Sequence, residues 1–465
     1  MKPESKLAGT QIYALAFGLF LGLCIWKFGD PVILDHKIGI PQTAQDFLND
    51  AWPTHWAGWF LLPLAIWGGL LALQPGTWRW PNKWLWLLPL AWLGWQFLSA
   101  AETEYTNLSD VVTATLWQFC GCVACYFLGA LVFSRGQLVR LLLIGALAGL
   151  TFCLIRAVDQ RLFEYPLNHQ ILLEGERSGW TNFPPANLAE MKTEGIIVTT
   201  NGADVVNPVI MTKFEKGRVC GTLVYPNALA EIILLLWPVS LALAISATRK
   251  LRPLVRISAI ALTLFLGGAA FFWTGSKLGW LIAIAVVGLA LLRLDWSKKL
   301  KLAAVAMVLI LGLGIFAVRF HHYFALGATS VGARFDYWHA AVQTTCNHPL
   351  FGSGPGTFQG PYAKLKLPQS EMARLTHNDY LEQFSDSGLV GGLTYTIWII
   401  WALLILGLKL WRTDDWFKLS IYLGLIGWFT QSLGEFGLFV PALAWIAFTL
   451  LGSLIGQNVA KIPAK

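Results

Sequence analysis

The chain has 465 residues, of which 56% are hydrophobic and only 13% are charged. Soluble domains carry about 25% charged residues, and disordered chains lack this apolar content, so the composition excludes both classes. The formal net charge of +8 would suit a protein that binds nucleic acid. In a membrane protein, however, lysine and arginine concentrate in the cytoplasmic loops. The composition therefore indicates a polytopic membrane protein with no nucleic-acid partner.

Apolar stretches of about 17 to 25 residues are long enough to cross a bilayer as helices. The sequence predicts an all-α integral membrane protein with about twelve such helices. The second and third are short and contain Pro63 and Pro89. The predicted spans lie at about 11–28, 57–73, 84–99, 111–133, 138–155, 226–247, 257–274, 278–293, 302–318, 387–410, 417–432 and 438–456.

The distribution of charge predicts the orientation of these spans. An even number of spans places both termini on one side, and that side collects 19 of the 34 basic residues against four acidic ones. Such an excess in short loops marks the cytoplasmic face, so both termini are expected there. The 19 residues are Lys2, Lys6, Arg79, Lys83, Arg135, Arg140, Arg249, Lys250, Arg252, Arg256, Arg293, Lys298, Lys299, Lys301, Lys409, Arg412, Lys418, Lys461 and Lys465.

Long outer segments divide the chain into three parts. Residues 1–318 hold spans one to nine with an outer loop at 156–225, residues 319–386 form a large outer loop, and residues 387–465 hold spans ten to twelve and a cytoplasmic tail. Connections of this length are usually functional or disordered. A hairpin is predicted from Gly195 to Thr200 with an Asn201-Gly202 turn, and an amphipathic helix from Arg334 to Asn347.

His377 is the candidate general base. It lies at the predicted membrane boundary beside Asn378, Asp379 and Glu382. Much of a histidine with an ordinary pKa of about 6.5 is neutral near pH 7, so it can accept a proton from a substrate hydroxyl. The alternative is a histidine that merely anchors the loop at the interface.

Three basic residues stand on the outer face, where the positive-inside rule disfavours them. They are Arg218 before the sixth span, Lys277 between the seventh and eighth, and Arg334 in the large loop. Together they could bind an anionic group such as a lipid diphosphate. Alternatively, they pair with nearby acids such as Glu215 or Asp336, or extend to lipid phosphates.

Two outer acids, Glu231 and Glu435, are also functional candidates because carboxylates are costly in a membrane. Each could instead neutralise one of the basic residues.

Two further patterns favour structural interpretations. The turn from Gly352 to Gly356 could bind phosphate through its amides, but it follows a predicted helix where a dinucleotide site needs a strand. Cys120, Cys122 and Cys125 lie inside the fourth span, where cysteine is an ordinary packing residue. No metal site and no cofactor are predicted.

Four motifs follow one another between residues 218 and 392: Arg218 to Ala230, Thr274 to Lys277, Arg334 to Trp338 with His348 to Gly354, and His377 to Leu381 with Gly388 to Gly392. Each motif is loose alone, but four in order on a twelve-span scaffold with a large outer loop are more specific. Together they resemble the bacterial O-antigen ligase and polymerase superfamily.

Within this superfamily the chain most resembles an O-antigen ligase. The resemblance implies an enzyme of the bacterial inner membrane whose active site faces the periplasm. Such an enzyme moves a glycan from an undecaprenyl diphosphate carrier to an acceptor hydroxyl of lipid A-core, without a metal. His377 would then activate the acceptor, while Arg334, Lys277, Arg218 and Asn378 bind substrate. At Lys277 the family usually has arginine, and lysine loses the bidentate geometry.

Alternative functions remain open within and beyond this superfamily. A polymerase would transfer the glycan to another carrier-linked glycan, and an O-oligosaccharyltransferase to a protein. A transporter would instead predict charged or broken helices at mid-membrane, and the predicted spans contain few charged residues.

Overall fold

The computed structural model describes residues 3–73, 83–200, 202–325, 329–368 and 370–459. Four basic residues used in the orientation argument, Lys2, Arg79, Lys461 and Lys465, lie outside these ranges, as does Asn201 of the predicted turn. Within them the chain is almost entirely helical, which confirms the all-α prediction.

Six helices are described in the first part of the chain, up to residue 159. α1 and α6 cross at glycines: a Cβ on Gly145 would lie 2.2 Å from the Leu19 backbone nitrogen, so the two backbones touch where no other residue fits. The helices are α1 (Pro3–Lys27), α2 (Ala44–Asn49), α3 (Thr54–Ala72), α4 (Trp84–Ala101), α5 (Ser109–Leu131) and α6 (Gly136–Asp159).

The first long outer segment follows, and we call it the hairpin segment (160–217). It starts with a π-helical turn at Gln160–Glu164 and contains the predicted hairpin, whose strands pair antiparallel from Ile197↔Val206 to Thr200↔Ala203. Its elements are α7 (Tyr165–Ser178), α8 (Pro185–Thr193), β1 (Ile197–Thr200), β2 (Ala203–Val206) and α9 (Pro208–Lys216).

Four helices then lead to the second long outer segment. Helix α13 continues to Ala325, seven residues beyond the predicted span. The helices are α10 (Pro226–Ala247), α11 (Pro253–Thr274), α12 (Lys277–Leu292) and α13 (Lys298–Ala325).

We call the second outer segment the histidine segment (329–378). Its predicted amphipathic helix is present as α14 (Thr329–Asn347) and ends before His348-Pro349; a short helix, α15 (Gln359–Leu365), packs on it. Tyr337 of α14 and Phe358 and Tyr362 near α15 form a small aromatic core. This core holds the segment together outside the helical bundle.

The last three helices are α16 (Asp379–Leu410), α17 (Trp416–Gln431) and α18 (Pro441–Val459). Helix α16 begins eight residues before the predicted span and breaks at Ser387 and Gly388, whose dihedral angles are not helical. The φ of Gly388 is +65°, and a Cβ there would lie 2.3 Å from the Leu350 carbonyl oxygen. Only glycine satisfies both conditions, so the loop after α14 packs directly into the break.

Each of the twelve predicted spans coincides with a helix. Among the described residues, eight stretches are long and apolar enough to cross a membrane; they include α1, α3, α5, α6, α10, α11, α13 and α16. Crossing by α4, α12, α17 and α18 stays a prediction, and α12 is apolar but shorter.

Candidate functional site

The candidate site is built around Glu435, in the connection between α17 and α18. Its side chain is 1% exposed, and both carboxylate oxygens accept hydrogen bonds from elements far apart in sequence. Oε1 accepts from Arg334 Nη2 at 2.5 Å and from Asn227 Nδ2 at 2.6 Å. Oε2 accepts from Tyr225 Oη at 2.7 Å and lies 3.4 Å from His377 Nδ1. We call these five residues the Glu435 cluster.

His377 has a strained backbone conformation, and its ring is held by aromatic contacts. Its φ is +52°, in the left-handed region that a residue with a side chain seldom adopts. The imidazole lies edge-on to Phe436 at 4.8 Å between ring centroids and stacks on Tyr337 at 6.0 Å. Such strain persists only where the surroundings impose it, and it concentrates at functional sites.

The contact with Glu435 assigns the two ring nitrogens of His377. A carboxylate only accepts hydrogen bonds, so Nδ1 facing Glu435 carries the proton and the neutral ring has its lone pair on Nε2. The side chain is 30% exposed. Nε2 is therefore the atom that could accept a proton from a bound hydroxyl.

The neighbours of His377 hold its turn against the bundle. Asn378 caps α16: its Oδ1 accepts from the amides of Tyr380 and Leu381 at 3.1 and 3.0 Å. The Asp379 amide donates to the Ser432 carbonyl at 2.8 Å. The structure thus gives Asn378, a predicted substrate ligand, a positioning contact.

Arg334 projects from α14 towards the bundle and is 18% exposed. Its partner is Glu435 and not Asp336, one of the two acids named in the alternative interpretation. Asp336 Oδ2 accepts from Ser370 at 2.8 Å. Glu435 thus pairs with a basic residue, as the alternative interpretation of this acid proposed.

Arg218 joins the cluster through Asn227. Its Nη2 donates to Asn227 Oδ1 at 2.8 Å, and its Nε donates to the Thr274 carbonyl at 2.6 Å. Burial lowers the pKa of the guanidinium, Glu435 raises it, and the charge of Arg334 lowers it. Arginine stays charged under these conditions, so Arg218 brings a second cation to the cluster.

Lys277, the first residue of α12, adds a third positive charge to the site. Its ammonium lies 3.8 Å from the ring centroid of Tyr323 and 5.4 Å from that of Phe320. In the part of the chain that the structure describes, no carboxylate lies within ion-pair distance of it. The positive charges of Arg218 and Arg334 act on it electrostatically. An anionic ligand would relieve this repulsion.

Glu435 is ionised in this environment. Burial alone would raise its pKa, but hydrogen bonding by His377 and the charge of Arg334 outweigh burial and hold the pKa below its usual value. Burial and then Glu435 raise the pKa of Tyr225 well above its usual value, so Tyr225 donates its hydroxyl proton to this carboxylate. One anion thus stands against three cations, which leaves the site positive.

Glu231, the other suspected acid, does not neutralise a basic residue in the described part of the chain. It is fully buried in α10, and neither carboxylate oxygen has a hydrogen-bond partner there. Its Oε2 faces Gly437, since a Cβ on that glycine would lie 2.4 Å away.

Two amides of the glycine turn, which runs from Gly352 to Gly356, already donate hydrogen bonds to another part of the protein. The Gly354 amide donates to the Asp386 carbonyl at 2.8 Å, and the Gly356 amide to Asp386 Oδ2 at 2.7 Å. These contacts favour the chain-turning role over phosphate binding. In α5, Cys122 and Cys125 are buried, and among the described residues no group of three or more His, Cys, Asp or Glu side chains is placed to hold a metal.

Sequence reasoning missed Tyr225 and Asn227 as site residues. Both stand in the first motif, Tyr225-Pro226-Asn227, where an apolar span begins. An amide side chain at that boundary was the signal, but its partner Glu435 is 208 residues away.

A comparison with protein families tests the resemblance. A family described as O-antigen ligase matches residues 231–396, about a third of the chain. This part of the chain is similar to the O-antigen ligase family. The match includes Lys277, Arg334 and His377, and it supports a glycosyltransferase of the ligase or polymerase type. A comparison with curated proteins gives no match.

Proposed function

We propose that the protein is a glycosyltransferase of the O-antigen ligase type. It moves a glycan from an undecaprenyl diphosphate carrier to an acceptor hydroxyl, with lipid A-core as the acceptor. The observation that carries the proposal is the convergence of His377 and Arg334, from one outer segment, on the buried carboxylate of Glu435.

The positive side chains suit a diphosphate leaving group. Arg334 and Arg218 can each offer two parallel N–H donors to phosphate, and Lys277 offers a point charge. Glu435 holds Arg334 directly and Arg218 through Asn227. Donors fixed in this way stabilise the charge that develops as the diphosphate departs.

His377 performs the proton transfer. The acceptor oxygen forms a bond to the anomeric carbon while the bond from that carbon to the diphosphate oxygen breaks. The acceptor proton moves to His377 Nε2, and the bonding electron pair leaves with the diphosphate. Glu435 stabilises the imidazolium through Nδ1.

The placement of the site supports the predicted orientation. Tyr225 precedes α10, Lys277 begins α12, His377 precedes α16, and Glu435 follows α17. These positions all belong to one face of an alternating bundle, opposite the basic connection that holds Arg249 and Lys250. We place this face in the periplasm of a bacterial inner membrane, with both termini in the cytoplasm.

Deletion of the gene, followed by analysis of surface glycolipids, tests the function. Loss of attached glycan with intact carrier-linked polymer is expected. The Arg334→Ala variant, returned to the deletion strain, should use the donor less well than the wild-type protein and restore less attached glycan. Single-repeat products would instead identify a polymerase. Unchanged glycolipids in the deletion strain would contradict both.

A further inference from the structure

A second group of polar side chains lies apart from the Glu435 cluster, where the chain enters α3. Asp35 Oδ2 lies 2.7 Å from His55 Nδ1, and Asp35 Oδ1 accepts from Thr54 Oγ1 at 2.8 Å and from the His55 amide at 3.2 Å. Burial opposes ionisation of Asp35, but the hydrogen bonds of Thr54 and His55 outweigh it and lower its pKa. A fixed anion therefore stands behind the His55 ring.

His55 opens onto a pocket of about 110 Å³ between α3, α5 and α18. Its walls include three tryptophans, Trp59 of α3, Trp117 of α5 and Trp445 of α18. Trp59 and Trp117 are 69% and 63% exposed. These two rings stand on the outer ends of predicted spans, where tryptophan meets the lipid headgroups, so the pocket is reached from the membrane.

A spare hydrogen-bond acceptor lies on a side chain that lines the pocket. Gln118 is 1% exposed and lines the pocket; its Nε2 donates to the Leu438 carbonyl at 2.9 Å. Its Oε1 is buried and has no partner among the described residues. Leaving a buried amide oxygen unpaired is unfavourable, so this oxygen favours a ligand that donates a hydrogen bond.

We propose that this pocket binds the primary ammonium headgroup of a membrane phospholipid. An ammonium supplies N–H donors to Gln118 Oε1, its charge is attracted to the tryptophan faces, and Asp35 adds a negative field. The volume suits a headgroup of a few atoms, since it equals about four water molecules at roughly 30 Å³ each. The acyl chains would stay in the bilayer beside Trp59.

The pocket is joined to the Glu435 cluster by the chain itself. Leu438, whose carbonyl accepts from Gln118, donates its amide to Asp379 Oδ2 at 3.0 Å. Asp379 follows the His377 turn, and Glu435 lies three residues before Leu438. A bound headgroup would therefore brace the connection that carries Glu435.

A filled pocket provides the test. Gly58 lines the pocket, and a Cβ there meets nothing within 4 Å, so Gly58→Leu places a side chain in the cavity without a backbone clash. Gly69, in the same helix, also has open space and does not line the pocket, which makes Gly69→Leu the matched control. Both changes favour the helix, so folding is retained.

The full chain is placed in nanodiscs of equal phosphatidylethanolamine and phosphatidylcholine, and the lipids it retains are counted by native mass spectrometry. Phosphatidylcholine carries the same positive charge but has no N–H donor. The wild type and Gly69→Leu should therefore retain phosphatidylethanolamine about fivefold better than phosphatidylcholine. Gly58→Leu should retain the two lipids equally. No preference in the wild type, or the same preference in Gly58→Leu, would overturn the proposal. If soluble glycerophosphoethanolamine at equal concentration displaced the retained phosphatidylethanolamine, the ligand would not need to be a membrane lipid, and that part of the proposal would be overturned. This binding test does not depend on glycosyl transfer.

Discussion

The two long outer segments use their polar residues differently. The hairpin segment folds on an apolar core of its own, with Leu172, Trp180, Ile197 and Val206 buried. Its ion pairs, such as the one between Lys192 and Asp204, lie on its surface.

The histidine segment instead sends charged and polar side chains into the bundle. Arg334 and His377 both reach Glu435, which lies 101 and 58 residues away in sequence. A segment that uses its charges locally can fold alone, whereas one that depends on a partner in another element is fixed to it. The comparison therefore supports the proposal that the histidine segment carries the chemistry and that the hairpin segment has a structural role.

The largest effect is expected from His377→Ala. Loss of a general base should slow glycan transfer by about 10²- to 10⁴-fold at unchanged expression, measured with purified protein and a lipid diphosphate-linked glycan. His339→Ala is the control, because His339 is an exposed histidine of the same segment. Wild-type transfer by His377→Ala would remove the catalytic assignment.

Glu435→Gln comes next. The change keeps the size of the side chain but removes the charge that holds Arg334 and His377, so transfer should fall about 10- to 100-fold. The exposed Glu215→Gln in the hairpin segment should have no effect. Equal activity of the two variants would mean that Glu435 has only a packing role.

Lys277→Ala should weaken donor use by about tenfold, since one unpaired cation is lost from the site. Lys277→Arg should keep most of the activity, because arginine preserves the charge. Initial rates at varied donor concentration measure both, with the exposed Lys250→Ala as the control. Unchanged donor use in Lys277→Ala would make the residue structural.

The smallest effect is expected in the hairpin segment. Lys192→Ala removes a surface ion pair whose partners are 40% and 25% exposed, so the free energy of unfolding should change by less than about 1 kcal/mol. Thermal unfolding in detergent and the transfer rate should both match the wild type. A large loss of transfer would show that the hairpin segment also takes part in the chemistry.

Local patterns predicted much of this structure. The helices of the twelve predicted spans follow from apolar stretches, the β1–β2 hairpin from its turn residues, and α14 from the amphipathic pattern between Arg334 and Asn347. His377, Arg334 and Lys277 stand out as candidates because each is a polar residue at a predicted membrane boundary, where polar side chains are unusual.

What the sequence could not provide were contacts between distant elements. Asn378 was expected to bind substrate, but Asn in front of a helix also matches an N-cap, and that is the contact observed. The start of α16 at Asp379 was missed because Asp379, Glu382 and Asp386 look like loop residues, although all three are buried. Their burial depends on elements such as Ser432 and the glycine turn, which no local pattern reveals.

A double-mutant cycle of His377→Ala and Glu435→Gln tests the central claim most directly. Because Glu435 orients and stabilises His377, the part of its effect that runs through the imidazole should vanish in His377→Ala, so the double variant should transfer glycan faster than the product of the two single effects predicts. The slowing that Glu435→Gln still causes in the His377→Ala background is then its effect through Arg334. Multiplication of the two single effects in the double variant would contradict the account, since the two side chains would then act independently.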